Sequence, residues 1–152
     1  MLFGVISDTH GLLRESALRA LEGGDHIVHG GDVGSAEILE TLRTIAPVTV
    51  VRGNIDSGPE ADAWPQSAVV EGSGRHLYLI HDRADLDLDL NAAGMDGLIY
   101  GHSHRPEIVR QDGLLFLNPG SAGPRRFKLP ISLARLRVDA SGWDAELIEL
   151  DD

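Results

Sequence analysis

Side chains that bind divalent metal ions recur in five short motifs along this chain. The motifs are Asp8-Thr9-His10, Gly31-Asp32, Gly53-Asn54, His81 and Gly101-His102-Ser103-His104. Their carboxylate, amide and imidazole groups offer the oxygen and nitrogen donors that such ions accept. Taken singly, most of these motifs are also explained as turns, because Asp, Asn and Gly are frequent turn residues. Taken together, they predict a site for two metal ions.

Each motif follows a short apolar run that is typical of a buried strand. The runs are Leu2–Ile6, Ile27–Val28, Val48–Val51, Leu77–Ile80 and Leu98–Tyr100. In α/β folds, ligands bind in the crevice beyond the carboxyl ends of the strands. We therefore expect residues that are far apart in sequence to converge at one edge of the fold.

The first third of the chain predicts alternating strands and helices. Apolar residues recur at near-helical spacing from Leu12 to Leu21, and Gly23-Gly24 ends that pattern. Ser35 is a plausible N-cap for a second helix, whose apolar residues run from Ile38 to Ile45. This βαβαβ order implies parallel strands with right-handed crossovers.

The rest of the chain predicts antiparallel hairpins. Apolar and polar residues alternate on both sides of Gly-containing turns in residues 68–80, 108–118 and 132–150. The prediction is an α/β fold with two packed mixed β-sheets flanked by helices. Residues 85–93 are ambiguous: leucines alternate with aspartates at period two, yet the length and Ala92-Ala93 suit a helix, which we favour.

Composition narrows the classes of function. With no cysteine, disulfides and thiolate metal ligands are excluded, and with them a zinc finger. A net charge of −11 argues against a polynucleotide-binding groove, because binding phosphates needs clustered cations. We expect one domain over residues 1–152, no membrane segment and a cytoplasmic location, since the chain shows neither a leader peptide nor a long apolar run.

The order of the five motifs resembles the calcineurin-like metallophosphoesterase superfamily, and specifically its small single-domain bacterial and archaeal phosphodiesterase branch. Two longer strings, 51–56 (Val-Arg-Gly-Asn-Ile-Asp) and 118–121 (Asn-Pro-Gly-Ser), are also similar to that branch. The resemblance spans nearly the whole chain. It implies a four-layer sandwich of two mixed sheets between outer layers, as in metallo-dependent phosphatases.

The resemblance also implies a ligand set for two divalent ions. The first ion would be held by Asp8, His10, Asp32 and His104. The second would be held by Asp32, Asn54, His81 and His102, with Asp32 bridging both ions. Asp32, Asn54, His81 and His102 are the implied catalytic residues. Mn²⁺ is the foremost candidate, and Ni²⁺, Fe²⁺, Zn²⁺ and Co²⁺ are compatible with the same donors.

The implied reaction is hydrolysis of small phosphodiesters by a hydroxide that bridges the two ions. One alternative is a nucleotide phosphomonoesterase or pyrophosphatase, which would need further cations for a terminal phosphate. Arg125, Arg126 and Lys128 would supply them, although we favour a solvated surface cluster. A less favoured alternative is a non-catalytic scaffold similar to a retromer subunit. The expected partner is a small phosphoester, and self-association is left open.

Several neighbours of the motifs carry further expectations. Asp56 and Arg52 are candidates to support the ligands or contact substrate, and Arg52 is equally explained by a structural ion pair. His81 and His102 are expected to bond carbonyls or carboxylates through their second ring nitrogens. Relatives often carry histidine or cysteine where this chain has Ile55, which cannot protonate a leaving group. The family's His-Gly-His segment is replaced here by His81-Asp82-Arg83.

Overall fold

The computed structural model describes residues 1–151 as two five-stranded mixed sheets. The first sheet has the order β10-β9-β1-β2-β3 and contains β1 (Leu2–Ile6), β2 (His26–His29), β3 (Val48–Val50), β9 (Ser132–Asp139) and β10 (Gly142–Glu149). The second has the order β4-β5-β6-β8-β7 and contains β4 (Ser67–Gly72), β5 (Arg75–Ile80), β6 (Gly97–Ile99), β7 (Glu107–Gln111) and β8 (Leu114–Asn118). The predicted fold class is confirmed.

The predicted βαβαβ opening is present, with β1, β2 and β3 parallel. Helix α1 spans Glu15–Leu21 and helix α2 spans Ala36–Arg43. The predicted cap at Ser35 is confirmed, because its side chain accepts a hydrogen bond from the Glu37 N–H at 3.3 Å. The apolar pattern placed the start of α1 too early: Leu12 and Leu13 precede the helix and belong to the loop after His10.

The three predicted hairpins are also confirmed. They are β4–β5, β7–β8 and β9–β10, and each pairs antiparallel. Between the hairpins, β5, β6 and β8 run parallel. Both sheets therefore contain three parallel neighbours whose carboxyl ends can face a common crevice.

Apolar packing defines the layers of the fold. Side chains such as Leu21, Leu39 and Ile27 join the helices to the first sheet. A second cluster, including Val5 and Leu79, lies between the two sheets. Complete burial of side chains of this size contributes about 1.5–3 kcal/mol each, so these layers hold the strand ends in register.

The outer face of the second sheet is covered by residues 83–95, and here the helix prediction was wrong. This segment forms a short 3-10 helix at Arg83–Asp85 followed by turns. Its leucines point inward at every second position and pack with Leu98 and Phe116, while the intervening aspartates are exposed. The Asp82 and Asp89 side chains accept backbone hydrogen bonds from Ala84 and Ala92, which favours turns over helix.

None of the helices in residues 1–151 has the length and apolar character that a membrane crossing requires.

Candidate metal centre

The five predicted motifs converge at the carboxyl ends of the strands. Asp8 and Asp32 follow β1 and β2, Asn54 follows β3, and His81 and His102 follow β5 and β6. Two groups of three side chains have potential ligand atoms within 4.8 Å of one another. The first group is Asp8, His10 and His104, and the second is Asp32, His81 and His102.

Asp32 lies between these two groups. Its Oδ2 is 3.6 Å from Nε2 of His10, in the first group, and 3.2 Å from Nε2 of His81, in the second. Its Oδ1 accepts a hydrogen bond from the Ile55 N–H at 3.0 Å, which fixes the orientation of the carboxylate. Asp32 therefore has the position that a bridging ligand needs.

Asp8 is fully buried, and its two oxygens have different partners. Its Oδ2 accepts hydrogen bonds from Ser7 Oγ at 2.6 Å and from the His102 N–H at 3.1 Å. Its Oδ1 has no hydrogen bond and lies 3.4 Å from His104 Nε2 and 3.8 Å from His10 Nε2. Burial alone would raise the pKa of Asp8, but its contacts with His10, His104 and Ser7 outweigh burial and hold the pKa below its usual value.

His81 is buried and oriented by the backbone. Its Nδ1–H donates to the Gly30 carbonyl at 2.7 Å, as predicted, so its Nε2 is turned toward Asp32 without a hydrogen bond. Burial alone would lower the pKa of His81, but Asp32, the charge of Asp8 and the Gly30 carbonyl together raise it to about 9. The centre therefore stabilises positive charge strongly.

His102 and Asn54 lie at the solvent edge of the centre. His102 Nε2 is 3.6 Å from Asp82 Oδ2, and its ring packs edge-on against His81 at 5.2 Å between centroids. Asp82, which replaces the family's glycine, thus places a carboxylate near His102, but beyond the distance of the hydrogen bond that we predicted for this ring. Asn54 is exposed and lines the same cleft as His81 and Asp82.

Residues of this centre adopt an unusual backbone conformation. The φ angles of Asp8, His10, Asp32, His102 and His104 are 55°, 46°, 55°, 72° and 63°. Such positive values are uncommon for residues other than glycine and cluster at functional sites. Asn54, a further predicted ligand outside the strands, does not have a positive φ angle.

Glycines beside the ligands are required by close packing. A Cβ at Gly31 would lie 2.7 Å from His81 Nδ1, and a Cβ at Gly101 would overlap Ser7 Oγ. A Cβ at Gly53 would overlap the Asp32 backbone N and its carboxylate. Glycine at these positions thus allows the loops to approach one another.

Asp56 connects two of the metal loops. Its buried carboxylate accepts hydrogen bonds from the Val33, Gly34 and Gly53 N–H groups at 3.0, 3.2 and 2.8 Å. These donors flank Asp32 and Asn54. Asp56 therefore positions the loops that carry those residues.

The segment Asn118–Ser121 supports the other loops. Asn118 Nδ2 donates to the Gly101 carbonyl at 3.1 Å and to Ser103 Oγ at 3.2 Å. Ser121 Oγ donates to the Asp8 carbonyl at 2.9 Å. The string that resembled the family in sequence therefore holds the loops of Asp8 and His102 together.

His29 and Ser7 are positioning residues whose roles the sequence did not reveal. His29 is fully buried; its Nδ1 accepts from the Gly31 N–H at 3.1 Å, and its Nε2 pairs with Thr9 Oγ1 at 3.0 Å. Burial lowers the pKa of His29 to about 4. Because His29 is neutral and both ring nitrogens are engaged, it orders the loops and is not available as a proton donor.

The donor set fits divalent metal ions. Asp8 Oδ1, His10 Nε2 and His81 Nε2 are buried without hydrogen-bond partners and face the centre. Buried polar atoms without partners are costly, and a bound ion would satisfy them. The donors are oxygen and nitrogen atoms, which suits Mn²⁺, Fe²⁺, Co²⁺, Ni²⁺ or Zn²⁺.

Two clefts of opposite charge flank the centre. The larger, about 570 Å³, adjoins Asn54 and His81 and contains Asp82, Asp85 and Asp87. The smaller, about 220 Å³, is lined by His10, His104, Pro124, Arg125 and Arg126. The three cationic residues that we expected to form a solvated cluster are exposed, but two of them, Arg125 and Arg126, border the predicted ligands.

Three further residues near the motifs, Arg52, Ile55 and Arg83, differ in how close they lie to the centre. Arg52 lines the larger cleft and forms an ion pair with Asp62 at 3.8 Å, so both roles considered for it are compatible with its position. Ile55 is 49% exposed. The Arg83 guanidinium lies over the Phe116 ring at 4.6 Å, on the outer face of the second sheet.

The chain belongs to the calcineurin-like phosphoesterase superfamily, because the sequence model of that domain matches residues 1–141. It is 38% identical over 163 residues to a "probable metallophosphoesterase" of Methanothermobacter thermautotrophicus, covering 97% of this chain and 92% of that protein. A second protein of that description, from Methanocaldococcus jannaschii, is 34% identical over 165 residues, covering 100% and 83%. The resemblance stated from the motifs is confirmed.

Solved structures show the same fold. An archaeal phosphodiesterase has a TM-score of 0.81 at 20% identity, covering 97% of this chain and all of that chain (100%). Vps29 of Entamoeba histolytica, solved with Zn²⁺, has a TM-score of 0.75 at 25% identity, covering 99% and 100%. A predicted phosphoesterase of Streptococcus pneumoniae has a TM-score of 0.74 at 24% identity, covering 97% and 88%.

Proposed function

We propose that this metallophosphoesterase hydrolyses small phosphodiesters at two divalent metal ions. The observation that carries the proposal is the position of Asp32 between two groups of buried donors. A carboxylate shared in this way holds two ions close together, about 3.5–4 Å apart in other two-metal hydrolases. The archaeal phosphodiesterase with the same fold supports this class of substrate.

The proposed ligands follow from the two groups. Asp8, His10 and His104 would hold the first ion together with Asp32, and Asp32, His81 and His102 would hold the second together with Asn54. Mn²⁺ is the foremost candidate for both. Ions at these positions would supply the charge that neutralises phosphoryl oxygens and the acidity that prepares a water for attack on phosphorus.

The protein's own contribution is to hold the donors in place before substrate binds. Ser7 turns the Asp8 carboxylate toward His10 and His104, and the Gly30 carbonyl turns His81 toward Asp32. The left-handed backbone of the loops adds to this preorganisation. At Ile55 the chain offers no proton for the departing oxygen, so the proposed substrates have leaving groups that depart as stable anions.

A nucleotide phosphomonoesterase or pyrophosphatase is the second candidate. It is favoured by one observation: Arg125 and Arg126 border the cleft that contains His10 and His104. A terminal phosphate carries more charge than a diester and gains more from additional cations. The larger cleft on the opposite side of the centre is acidic, and this opposes substrates that are anionic on both sides.

A non-catalytic scaffold is the third candidate, and the Vps29 structures support it because they share the fold. One of them contains Zn²⁺, so metal binding alone does not distinguish a scaffold from an enzyme. Turnover does. In this chain the predicted donors are all present and converge, which favours the enzyme.

The decisive comparison uses purified protein loaded with Mn²⁺, with metal content measured by elemental analysis. Bis-aryl and alkyl aryl phosphodiesters, the matching monoesters and nucleoside di- and triphosphates are then compared by kcat/KM. We expect about two ions per chain and a preference for diesters. A monoester or pyrophosphate preference of about tenfold, or ~1.4 kcal/mol in transition-state binding, would support the second candidate. Bound metal without turnover of any substrate would support the scaffold.

A further inference from the structure

We propose that the preferred phosphodiester carries an anionic group on the ester arm that stays attached to phosphorus, and that Arg125 and Arg126 bind this group. The inference rests on the proposed function and adds to it a substrate class. It starts from the smaller cleft, in which these two arginines lie alongside His10 and His104, two predicted ligands of the first ion. A phosphoryl group at the metal centre would place one of its substituents beside them.

The loop that carries the arginines is anchored to the metal centre. At its start, Ser121 Oγ donates to the Asp8 carbonyl, and the Ala122 N–H donates to the Ser7 carbonyl at 3.1 Å. A Cβ at Gly123 would overlap the Thr9 backbone, so the loop lies directly on the first metal loop. At the end of the loop, Ile131 forms a β-bridge back to Ser121.

Within this anchored segment the chain forms a closed turn. The Leu129 N–H donates to the Arg126 carbonyl at 3.1 Å, and Arg125 Nη1 donates to the Leu129 carbonyl at 3.4 Å. The turn and its anchors set the position of both guanidinium-bearing residues relative to His10 and His104. Their nearness to the centre is therefore a property of the fold.

The charge of the surroundings makes this pair of arginines distinctive. The whole chain has a net charge of −11, and the cleft on the other side of the centre contains Asp82, Asp85 and Asp87. Beside the smaller cleft, Arg105 and Lys128 border a neighbouring depression and add positive charge. The field across the centre therefore favours an anionic substituent beside Arg125 and Arg126, and a cationic one beside the aspartates.

Guanidinium groups suit this task because they bind carboxylate and phosphate oxygens through paired N–H donors. Both arginines are exposed, so solvent reduces the strength of each contact. We expect the pair together to change the rate by about tenfold, since an exposed ion pair contributes up to about fivefold. The same exposure predicts that the effect weakens at high salt.

The test uses a series of p-nitrophenyl phosphodiesters that differ only in the retained arm. The arm is an uncharged alkyl, a carboxyalkyl, a phosphoalkyl or a trimethylammonioalkyl group of one length. The Mn²⁺-loaded wild type is compared with Arg126→Ala, with the double variant Arg125→Ala/Arg126→Ala and with Arg43→Ala. Arg43 lies in the last turn of α2 and lines neither cleft, and its variant removes one positive charge as the control for Arg126→Ala.

Binding is measured in parallel with rate. Non-hydrolysable phosphonates with the same arms are titrated by calorimetry into each variant. We expect the carboxyalkyl and phosphoalkyl compounds to be preferred over the uncharged one by about tenfold in kcat/KM and in Kd, a size expected for two exposed pairs. This preference should disappear in the double variant and persist in Arg43→Ala. A preference for the phosphoalkyl over the carboxyalkyl arm would identify phosphate, rather than carboxylate, as the anionic group that the two arginines select.

Two results would overturn the proposal while leaving the proposed function intact. One is equal turnover of all arms in the wild type. The other is a preference for the trimethylammonio arm that is lost in Asp85→Asn/Asp87→Asn, which would place the retained arm in the acidic cleft. If no diester is hydrolysed, the proposed function fails, and the phosphonate titrations still decide whether Arg125 and Arg126 select anionic arms.

Discussion

At the scale of single residues, the metal centre depends on backbone conformations that side chains rarely adopt. Asp8, Asp32 and His104 all have positive φ angles, although none is glycine. The cost of such conformations, about 1–3 kcal/mol each, is offset by the hydrogen bonds that hold the loops. Sequence identified these residues by type and spacing, but it could not show that their backbone is left-handed.

The two groups of donors predict how metal binding divides between residues. His104→Ala removes a donor that faces Asp8, and His102→Ala removes one from the group with Asp32 and His81. We expect each variant to retain about one tightly bound ion, because only one group loses a donor in each case. Calorimetric titration with Mn²⁺ measures this. Two unchanged sites in either variant would contradict the assignment.

Ile55 predicts a strong dependence on the leaving group. No proton donor stands at this position, and a positioned general acid typically contributes about 10²–10⁴ in rate. We expect the wild type to hydrolyse nitrophenyl esters readily and alkyl esters poorly. Ile55→His should accelerate alkyl esters selectively, because the side chain is half exposed beside Asp32.

A leaving-group series on both proteins measures the effect of Ile55→His. The slope of log(kcat/KM) against leaving-group pKa should become shallower in the variant. Equal slopes would show that Ile55 only packs at this position. His29 has both ring nitrogens engaged and the Arg83 guanidinium lies over Phe116, so neither side chain offers an alternative proton donor for the leaving group.

At the scale of elements, buried polar residues join the loops after the strands. The Asp56 carboxylate accepts hydrogen bonds from the N–H groups of Val33, Gly34 and Gly53. Asp56→Asn replaces one accepting oxygen by a donor that faces these N–H groups. We expect a loss of about 1–3 kcal/mol in the free energy of unfolding, as for an unsatisfied buried group, and weaker metal binding.

Urea unfolding with and without Mn²⁺ measures both effects of Asp56→Asn. The exposed Asp144→Asn in β10 is the matched control, because it makes the same chemical change away from the loops. We expect the control to unfold like the wild type. Equal stability and equal metal affinity in the two variants would show that Asp56 does not position these loops.

His29 predicts a pH dependence of folding. Burial lowers its pKa from 6.5 to about 4, so below 6.5 the unfolded chain binds a proton that the folded chain excludes. Stability from this residue is therefore present above its unfolded pKa and is lost as the pH falls toward 4. Between about pH 7 and about pH 5 the loss is roughly 2 kcal/mol.

The contribution of His29 is measured as the free energy of unfolding at several pH values, for wild type and His29→Gln, in the presence of a chelator. The chelator removes the linkage between protons and metal binding. The variant is expected to be less stable near neutral pH and to depend less on pH. The same pH dependence in both proteins would contradict the assigned state of His29.

The elements show where sequence patterns predict structure and where they do not. Periodicity located the strands, both helices and the three hairpins, because each buries one face against a neighbouring layer. The helix prediction for residues 85–93 was wrong because the leucines at every second position cover a sheet without joining it, and the aspartates form local turns. That outcome depends on the partner surface, which the local sequence does not contain.

At the scale of the whole molecule, convergence of strand ends explains why distant motifs form one centre. Parallel strands in both sheets bring their carboxyl ends to a common edge, and this was predictable from the order of strands and motifs. The charges of the two flanking clefts were not predictable. One cleft is lined by residues between 52 and 87, and the other by His10 together with residues between 104 and 126. This juxtaposition arises only in three dimensions.

The whole fold does not by itself specify an activity, since Vps29 and a phosphodiesterase share it. The central claim is that Asp32 joins two ions into one hydrolytic centre. The most direct test is to measure bound Mn²⁺ and phosphodiester turnover together in wild type and Asp32→Asn, with circular dichroism to verify the fold. The account predicts about two ions and measurable turnover in the wild type, and fewer ions with nearly abolished turnover in the folded variant. Wild-type turnover by Asp32→Asn would contradict it.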